Sequence, residues 1–551
     1  METALSAYTD GHIIRYFNDV KENGLTEHGF PRLTSNIGIL IAHGRRRDLL
    51  PIFLEMMEFC CKNIPRVRAA NDFSVREIIC CLWELEKNNT VPDAEIERWK
   101  AYLATIEPTS CYNRFATAPT DQVRNWALFT GVSEYFRYIA GIGGSMDFID
   151  MQIASQLQWL DENGMYMDND LSDIHQPIVY DLVPRVLFTL LLHFGYRGRY
   201  YERIDACLKE TALMTLKMQS PNGEIAFGGR SNQFIHNECD LAVIYEYEAN
   251  RYAREGNTEL AERFRSAVER ALNVTERWLE KKPIRHIKNR FPTETKYGCE
   301  SYAYFDKYMI TVASMLYPAY LICDGSAPTV KKIDHTPEVF ISSRYFHKLF
   351  LKSGGYGLEF DLNADPNYDA NGLGRIHREG APSAICLSCP CPEEPKYTVD
   401  IAEPMAFSMC SAIRIDNKWS FGAEKNAIYE VLESRTDKNS ASATLLCSIA
   451  DDHRIKENYT VNKNGVAITI EGDGEIGYTI PAFCFDGEIA PEIVAEDHSL
   501  TVFYEGWICR YTTNGTVLDL KRTAANRNGH YKVFLATSEN VLEIKVEISE
   551  Q

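Results

Sequence analysis

The chain changes texture once, near residue 325, and that change limits what it can fold into. From about residue 10 to 325, apolar residues recur at spacings of three and four, as in helices with one buried face. Leu49 to Cys61, Val75 to Leu85, Gln122 to Ile139, Met151 to Leu160 and Ile178 to Phe194 carry the pattern. So do Tyr201 to Met218, Gln233 to Tyr252, Glu259 to Leu279 and Asp306 to Ile322. Breaks such as Asn163-Gly164, Pro221-Asn222-Gly223 and Gly256-Asn257 separate them. From Phe340 onward the segments are short and β-rich, among them Gly357 to Phe360, Ala406 to Met409, Ala443 to Cys447 and the alternating run Val541 to Ile548.

Helices of similar length joined by short connections form hairpins. An open solenoid of hairpins would show a repeated sequence unit, and none is visible. Nested hairpins closed into an (α/α)n toroid bury their inner helices and leave a funnel where the loops meet. Short strands without intervening helices build an antiparallel β-sandwich rather than an α/β sheet. The expected fold is therefore multidomain α and β, since 551 residues exceed one ordinary core. It comprises a helical toroid over 1–325, a linker over 326–345 and an antiparallel β-sandwich over 346–551.

Apolar residues at 45% and charged ones at 25% fit a soluble globular chain. A formal charge of -19 disfavours nucleic acid as a partner. An anionic sugar stays open, because one or two arginines reverse the potential inside a pocket. No run reaches membrane-span length, so no membrane partner is expected. The N-terminus lacks a basic region followed by an apolar run. Sixteen cysteines are too few for a disulfide scaffold of this length, and Cys60-Cys61 and Cys80-Cys81 read as buried thiols. A reducing cytoplasm is the expected compartment, or an exported one had a leader been removed. Cys386-Leu387-Ser388-Cys389 has metal-ligand spacing, yet no second pair follows it, so neither metal nor cofactor is expected. A homo-oligomer is compatible with the sequence.

The segment Gly228-Gly229-Arg230-Ser231-Asn232-Gln233-Phe234-Ile235-His236-Asn237-Glu238 packs a turn, a guanidinium, three amides, an imidazole and a carboxylate into eleven residues. Ser231 or Asn232 is expected to cap the following helix, with Arg230 beside its unpaired N–H groups as a carboxylate receptor. On that helix His236 and Asp240 share a face, so Asp240 is expected to orient the imidazole while Asn232 or Asn237 binds a substrate carboxylate. A packed histidine that merely satisfies a local carboxylate has the same sequence. A second cluster joins Arg290 to Tyr297-Gly298-Cys299-Glu300-Ser301-Tyr302-Ala303-Tyr304-Phe305-Asp306-Lys307-Tyr308, rich in tyrosines able to stack on sugars or move protons. Trp126, beside Asn125, and His175 add further sugar-binding groups. Arg375 and His377, on the glycine-rich stretch Asn371 to Gly380, are expected on a loop reaching across from the second domain.

These groups suit cleavage beside a uronic acid by β-elimination, which needs a neutralised carboxylate, a base and an acid. Hydrolysis by two carboxylates is the rival, with Glu238, Asp240, Glu300 and Asp306 as candidates. A carbohydrate-binding protein without turnover is a third reading. The toroid followed by a sandwich, with the Gly228 to Glu238 and Tyr297 to Tyr308 segments, resembles the toroid-plus-sandwich polysaccharide lyases. Within them it looks similar to those that release rhamnose from a rhamnosyl-glucuronate cap on arabinogalactan. The resemblance implies His236 and Tyr302 or Tyr304 as base and acid, with Asn232 or Arg230 neutralising the uronate. The local order His236-Asn237 departs from the Asn-His pairing of heparinase-type lyases. Unsaturated-glucuronyl hydrolases and toroid glucuronidases stand close by. The expected partner is a uronate-containing oligosaccharide or polysaccharide.

Overall fold

The computed structural model describes residues 1–117, 125–168, 174–327, 335–450 and 453–551. Six helices form an inner ring: α3 (Gly29–Ala42), α5 (Asn71–Lys87), α9 (Trp126–Ile139), α11 (Ile178–His193), α13 (His236–Arg254) and α15 (Phe305–Ile322). Each packs on the next, and α15 returns to α3, so the ring closes. Outside it lie α2 (Asp10–Asn23), α4 (Leu50–Asn63), α6 (Asp93–Leu103), α10 (Met146–Leu157), α12 (Tyr201–Met218) and α14 (Thr258–Glu280). One-turn helices α1 (Glu2–Leu5), α7 (Pro108–Cys111) and α8 (Arg114–Thr117) complete the helical half.

Burial explains the two layers. In α3 every residue is buried, and Thr34 and Asn36 donate back to Phe30 O and Arg32 O, while Ser35 donates across to Glu77 O of α5. The outer α14 buries one stripe only, including Ala261, Phe264, Val268, Ala271 and Leu279. The adjacent cysteines at 60–61 and 80–81 are buried free thiols, and burial raises their pKa values.

The second half is antiparallel throughout its named strands. A four-stranded meander, β1 (Glu338–Ile341), β2 (Lys348–Ser353), β3 (Tyr356–Asp361) and β4 (Gly372–Arg378), packs on an eleven-stranded sheet. The spine of the larger sheet is the pair Gly465–Phe485 and Gly529–Glu550, which runs from Val466 opposite Val546 to Phe485 opposite His530 with register shifts after Glu471 and after Phe483. Strand β1 starts inside the expected linker, whose residues 328–334 lie outside the described residues. Ala406 to Met409 forms only isolated bridges, at Phe407 and Met409, and is no strand.

The stretch Asn371 to Gly380 is not the exposed loop expected of its glycines. Most of it is β4, buried between the meander and the helical ring. Gly374 serves close approach, because a Cβ there would lie 2.3 Å from the Phe227 ring. Arg375 is fully buried, donating to Ile225 O at 2.8 Å and pairing with Glu359. His377 lies 3.7 Å from the same carboxylate. Arg375 thus joins the two halves, whereas His377 is buried beside a carboxylate of its own meander, and neither lines the cavity described below. The Cys386, Cys389 and Cys391 thiols are buried and free, with Cys386 Sγ 2.8 Å from the Tyr511 hydroxyl.

Candidate active site

The N-terminal ends of all six inner helices converge on one cavity of about 400 Å³. Helix N-termini carry partial positive charge, which favours an anionic ligand. Arg32, Arg230 and Lys307 line the cavity and reinforce that sign. One wall is aromatic: the Phe73 ring lies 5.1 Å from Trp126, 4.3 Å from Phe129 and 4.7 Å from His28. Such faces suit the C–H surfaces of a sugar ring.

The segment around Arg230 is a turn rather than a helix, and a short bridge follows it. Phe234 forms a bridge with Ile287, Ile235 N–H donates to His286 O, and Lys288 N–H donates to Gln233 O. Ser231 and Gln233 take left-handed φ values of 59° and 67°. The helix therefore begins at His236, and the expected capping by Ser231 or Asn232 does not occur. Gly229, at φ 75°, admits Pro177 where a Cβ would meet it at 2.7 Å.

Ser231 is the hub of the site. Its Oγ lies 3.1 Å from the Tyr302 hydroxyl, 3.3 Å from that of Tyr180 and 3.4 Å from that of Tyr308. Its N–H donates to Glu300 at 2.7 Å, and Glu300 in turn pairs with Arg527 of the sheet half at 2.6 Å. Arg230 stacks 4.4 Å from the Tyr180 ring centre and donates to Asp168 at 2.7 Å, while its Nε makes no hydrogen bond. Burial raises the pKa of Tyr302, which keeps its proton available for donation.

His236 and Asp240 do not pair as expected. Asn237 Oδ1 accepts from Phe234 N–H at 3.0 Å, which fixes the amide and points its Nδ2 at His236 Nε2, 3.3 Å away. The ring proton then belongs on Nδ1, which has no hydrogen-bond partner among the described residues. His236 sits at the first helical position, where side chains lean back over the preceding turn. That is why Asn237 orients it and Asp240 does not. Burial, with Arg32, His286 and Lys288 adding to it, pushes the His236 pKa down to about 3, so the imidazole is neutral at neutral pH.

Asp240 is fully buried in the cavity wall, and neither oxygen makes a hydrogen bond among the described residues. Burial pushes its pKa from 3.8 up to about 8, against the opposing pull of Arg32. The folded state therefore holds a proton that the unfolded chain releases between these values. Stability then falls as pH rises through that window, by at most about 1.4 kcal/mol per unit. Asp240→Asn should match the wild type near the bottom of the window and exceed it increasingly toward the top, by several kcal/mol at the limit. Urea unfolding at both ends of the window checks this. A gap that does not change with pH would show that the carboxyl ionises freely.

The remaining candidates separate cleanly by position. Trp126 and Tyr302 line the cavity. Tyr304 and Asp306 instead line a neighbouring cleft with His12 and Glu27, and Asp306 pairs with His12 at 2.7 Å. Asn232 is buried, donating to Ala226 O at 3.0 Å and accepting from Gln233. Arg290 pairs with Asp486 and Glu505 at the junction with the sheet half. The His175 ring stands 6.0 Å from that of His347, outside the cavity lining. Glu238 is buried against Lys288, and Glu300 against Arg527, so neither lines the cavity. His28, Arg32 and Asp168 were not read from the sequence. The i, i+4 pair His28 and Arg32 at a helix start was a usable signal for the first two.

No family model and no curated protein matches the chain. Among solved structures, chondroitin AC lyase of Streptomyces coelicolor A3 in complex with chondroitin sulphate is similar over 94% of this chain and 74% of its own. The identity is 11% and the TM-score 0.46. Heparinase III is similar over 86% of this chain and 77% of its own, at 10% identity and TM-score 0.38. A family 88 glycosyl hydrolase from Bacteroides vulgatus covers 58% of this chain and 98% of its own, at 10% identity and TM-score 0.37. Likeness at this level carries no residue role from one protein to another.

Proposed function

We propose that the chain is a lyase that cleaves a glycosidic bond beside a uronic acid by β-elimination. The observation that carries this reading is the grouping of the Tyr302–Ser231 hydroxyls, Arg230 and neutral His236 in one cation-lined cavity. Arg230, Arg32 and Lys307 offset the uronate charge, which lowers the cost of forming an enolate at C5. His236 takes the C5 proton on Nε2 as the Asn237 N–H that donates to that lone pair gives way. The bound uronate counters the nearby positive charges that add to burial in depressing the imidazole pKa. The C5–H electrons form the C4–C5 double bond, the C4–O bond breaks, and the leaving oxygen takes the Tyr302 proton. A rhamnosyl-glucuronate cap is the first glycan to try, because the family resemblance implies it.

Hydrolysis is a second reading, favoured by one observation: Asp240 is a buried, protonated acid in the same cavity. The two-carboxylate mechanism asks for a partner, and Glu238, Glu300 and Asp306 are engaged elsewhere.

Incubation with glucuronate-containing glycans separates the two readings. A lyase raises the absorbance of unsaturated uronate in step with new chain ends, and His236→Ala abolishes that signal while leaving the fold intact. New reducing ends without the absorbance would transfer the site to hydrolysis. Near-normal turnover in His236→Ala would remove the base assigned here.

A further inference from the structure

Below the level of His236 the cavity continues down the axis of the helical ring. Its wall residues lie progressively deeper in the inner helices, which all start at the same end. Trp126 and His236 are the first residues of α9 and α13, Asp240 is the fifth of α13, and Met315 is the eleventh of α15. At about 1.5 Å per residue, the stretch from Phe305 to Met315 spans about 15 Å.

At the lower end, buried groups on α3, α5 and α15 are tied together and separate the cavity from a second small void. Glu77 accepts from Arg32 Nε at 2.9 Å, from Arg76 Nη2 at 3.0 Å and from Ser314 Oγ at 2.7 Å. Asn36 Nδ2 donates to the same Ser314 oxygen at 3.1 Å. The six inner helices close the sides. Phe129, Val183 and Met315 supply apolar wall beside Arg32 and Thr311, and Asp240 stands among them with two buried oxygens and no hydrogen bond among the described residues. Buried polar groups in folded proteins are nearly always hydrogen-bonded, so an unpartnered carboxyl lining a cavity marks a place where a ligand completes the bonding.

We infer that the shaft is a chain-end subsite, in which the terminal sugar of the glycan descends to Asp240 and hydrogen-bonds to it. The inference rests on the glycan reading of the site above. A chain that continues in both directions needs an open cleft, whereas a blind shaft admits only an end. Cleavage then proceeds from chain ends, one unit at a time. Asp240 fixes which unit is accepted, by hydrogen-bonding a hydroxyl that the apolar wall of Phe129, Val183 and Met315 would leave unpaired.

Calorimetric titration of the Tyr302→Phe chain with glucuronate-containing oligosaccharides of increasing defined length, and with the parent polymer, tests this. The expected result is one protein bound per glycan end at every length. Asp240→Leu added to that chain should weaken binding about tenfold, while Asp240→Asn, which keeps a hydrogen-bonding group, should stay within about threefold. Should Asp240→Leu fail to fold, the stoichiometry alone decides. A number of bound proteins that grows in proportion to glycan length overturns the inference, and the lyase reading survives if the wild type still yields unsaturated product. One protein per end without unsaturated product from the wild type supports the subsite and removes the lyase. Absence of binding by every glycan in the series overturns both.

Discussion

Tyr302→Phe should lower turnover by about 10²–10⁴-fold, the range typical of losing a positioned proton donor, with glycan affinity nearly unchanged. The substitution removes one oxygen and keeps the ring that packs beside Tyr308 and Phe234. Ser231 Oγ retains the Tyr180 and Tyr308 hydroxyls, so the hub survives. The loss should therefore fall on kcat and leave KM almost untouched, as for an interaction made in the transition state. Tyr304→Phe is the control, because that hydroxyl lies in the neighbouring cleft, and its activity should stay within about twofold. Steady-state kinetics on both variants decides the matter. A loss below tenfold in Tyr302→Phe would take this hydroxyl out of the proton transfer.

Glu300→Ala should destabilise the protein by about 3–5 kcal/mol and inactivate it as well. Glu300 accepts both guanidinium bonds of Arg527, at 2.6 and 3.1 Å, and all these groups are buried. Without the carboxylate, Arg527 is a buried charge whose remaining neighbours are the Gly298 and Gly229 carbonyls and the Tyr397 ring. Ser231 N–H loses its acceptor at the same time, and its left-handed backbone loses the bond that holds it. Replacing Arg527 by Met alongside should recover part of the stability, because the stranded charge is gone, without restoring activity. Chemical denaturation of the single and double variants measures the coupling. A single-variant cost below about 1 kcal/mol would show that water reaches the pair and screens it.

The sequence made the architecture plain because burial patterns repeat along it. Helix period governs the first half, strand alternation the second, and the wholly buried α3 and one-faced α14 differ visibly in composition. The site was legible in part. Arg230, His236 and the choice of Tyr302 or Tyr304 were read chemically, and of these Arg230, His236 and Tyr302 line one cavity. Their partners were not readable, because they come from pairings distant along the chain. The bridge from Phe234 to Ile287 decides that the helix starts at His236, and no local propensity announces it. Likewise Arg375 and His377 looked like loop residues because of their glycines. Yet Gly374 is there for the Phe227 ring, 147 positions earlier in the chain. Asp240 read as a helper of His236 from spacing alone, whereas the helix boundary leaves it facing the shaft.

The join between α15 and α3 also governs how the molecule is made. Arg32 meets Thr311, and Asn36 meets Ser314, across separations of 279 and 278 residues. Contacts that distant form late, since the intervening loop must first lose its freedom. A nascent chain halted before Phe305 would already hold five of the six inner helices and leave the ring open. Closing the ring therefore waits for α15, and the buried Glu300–Arg527 pair waits for the sheet half made after it.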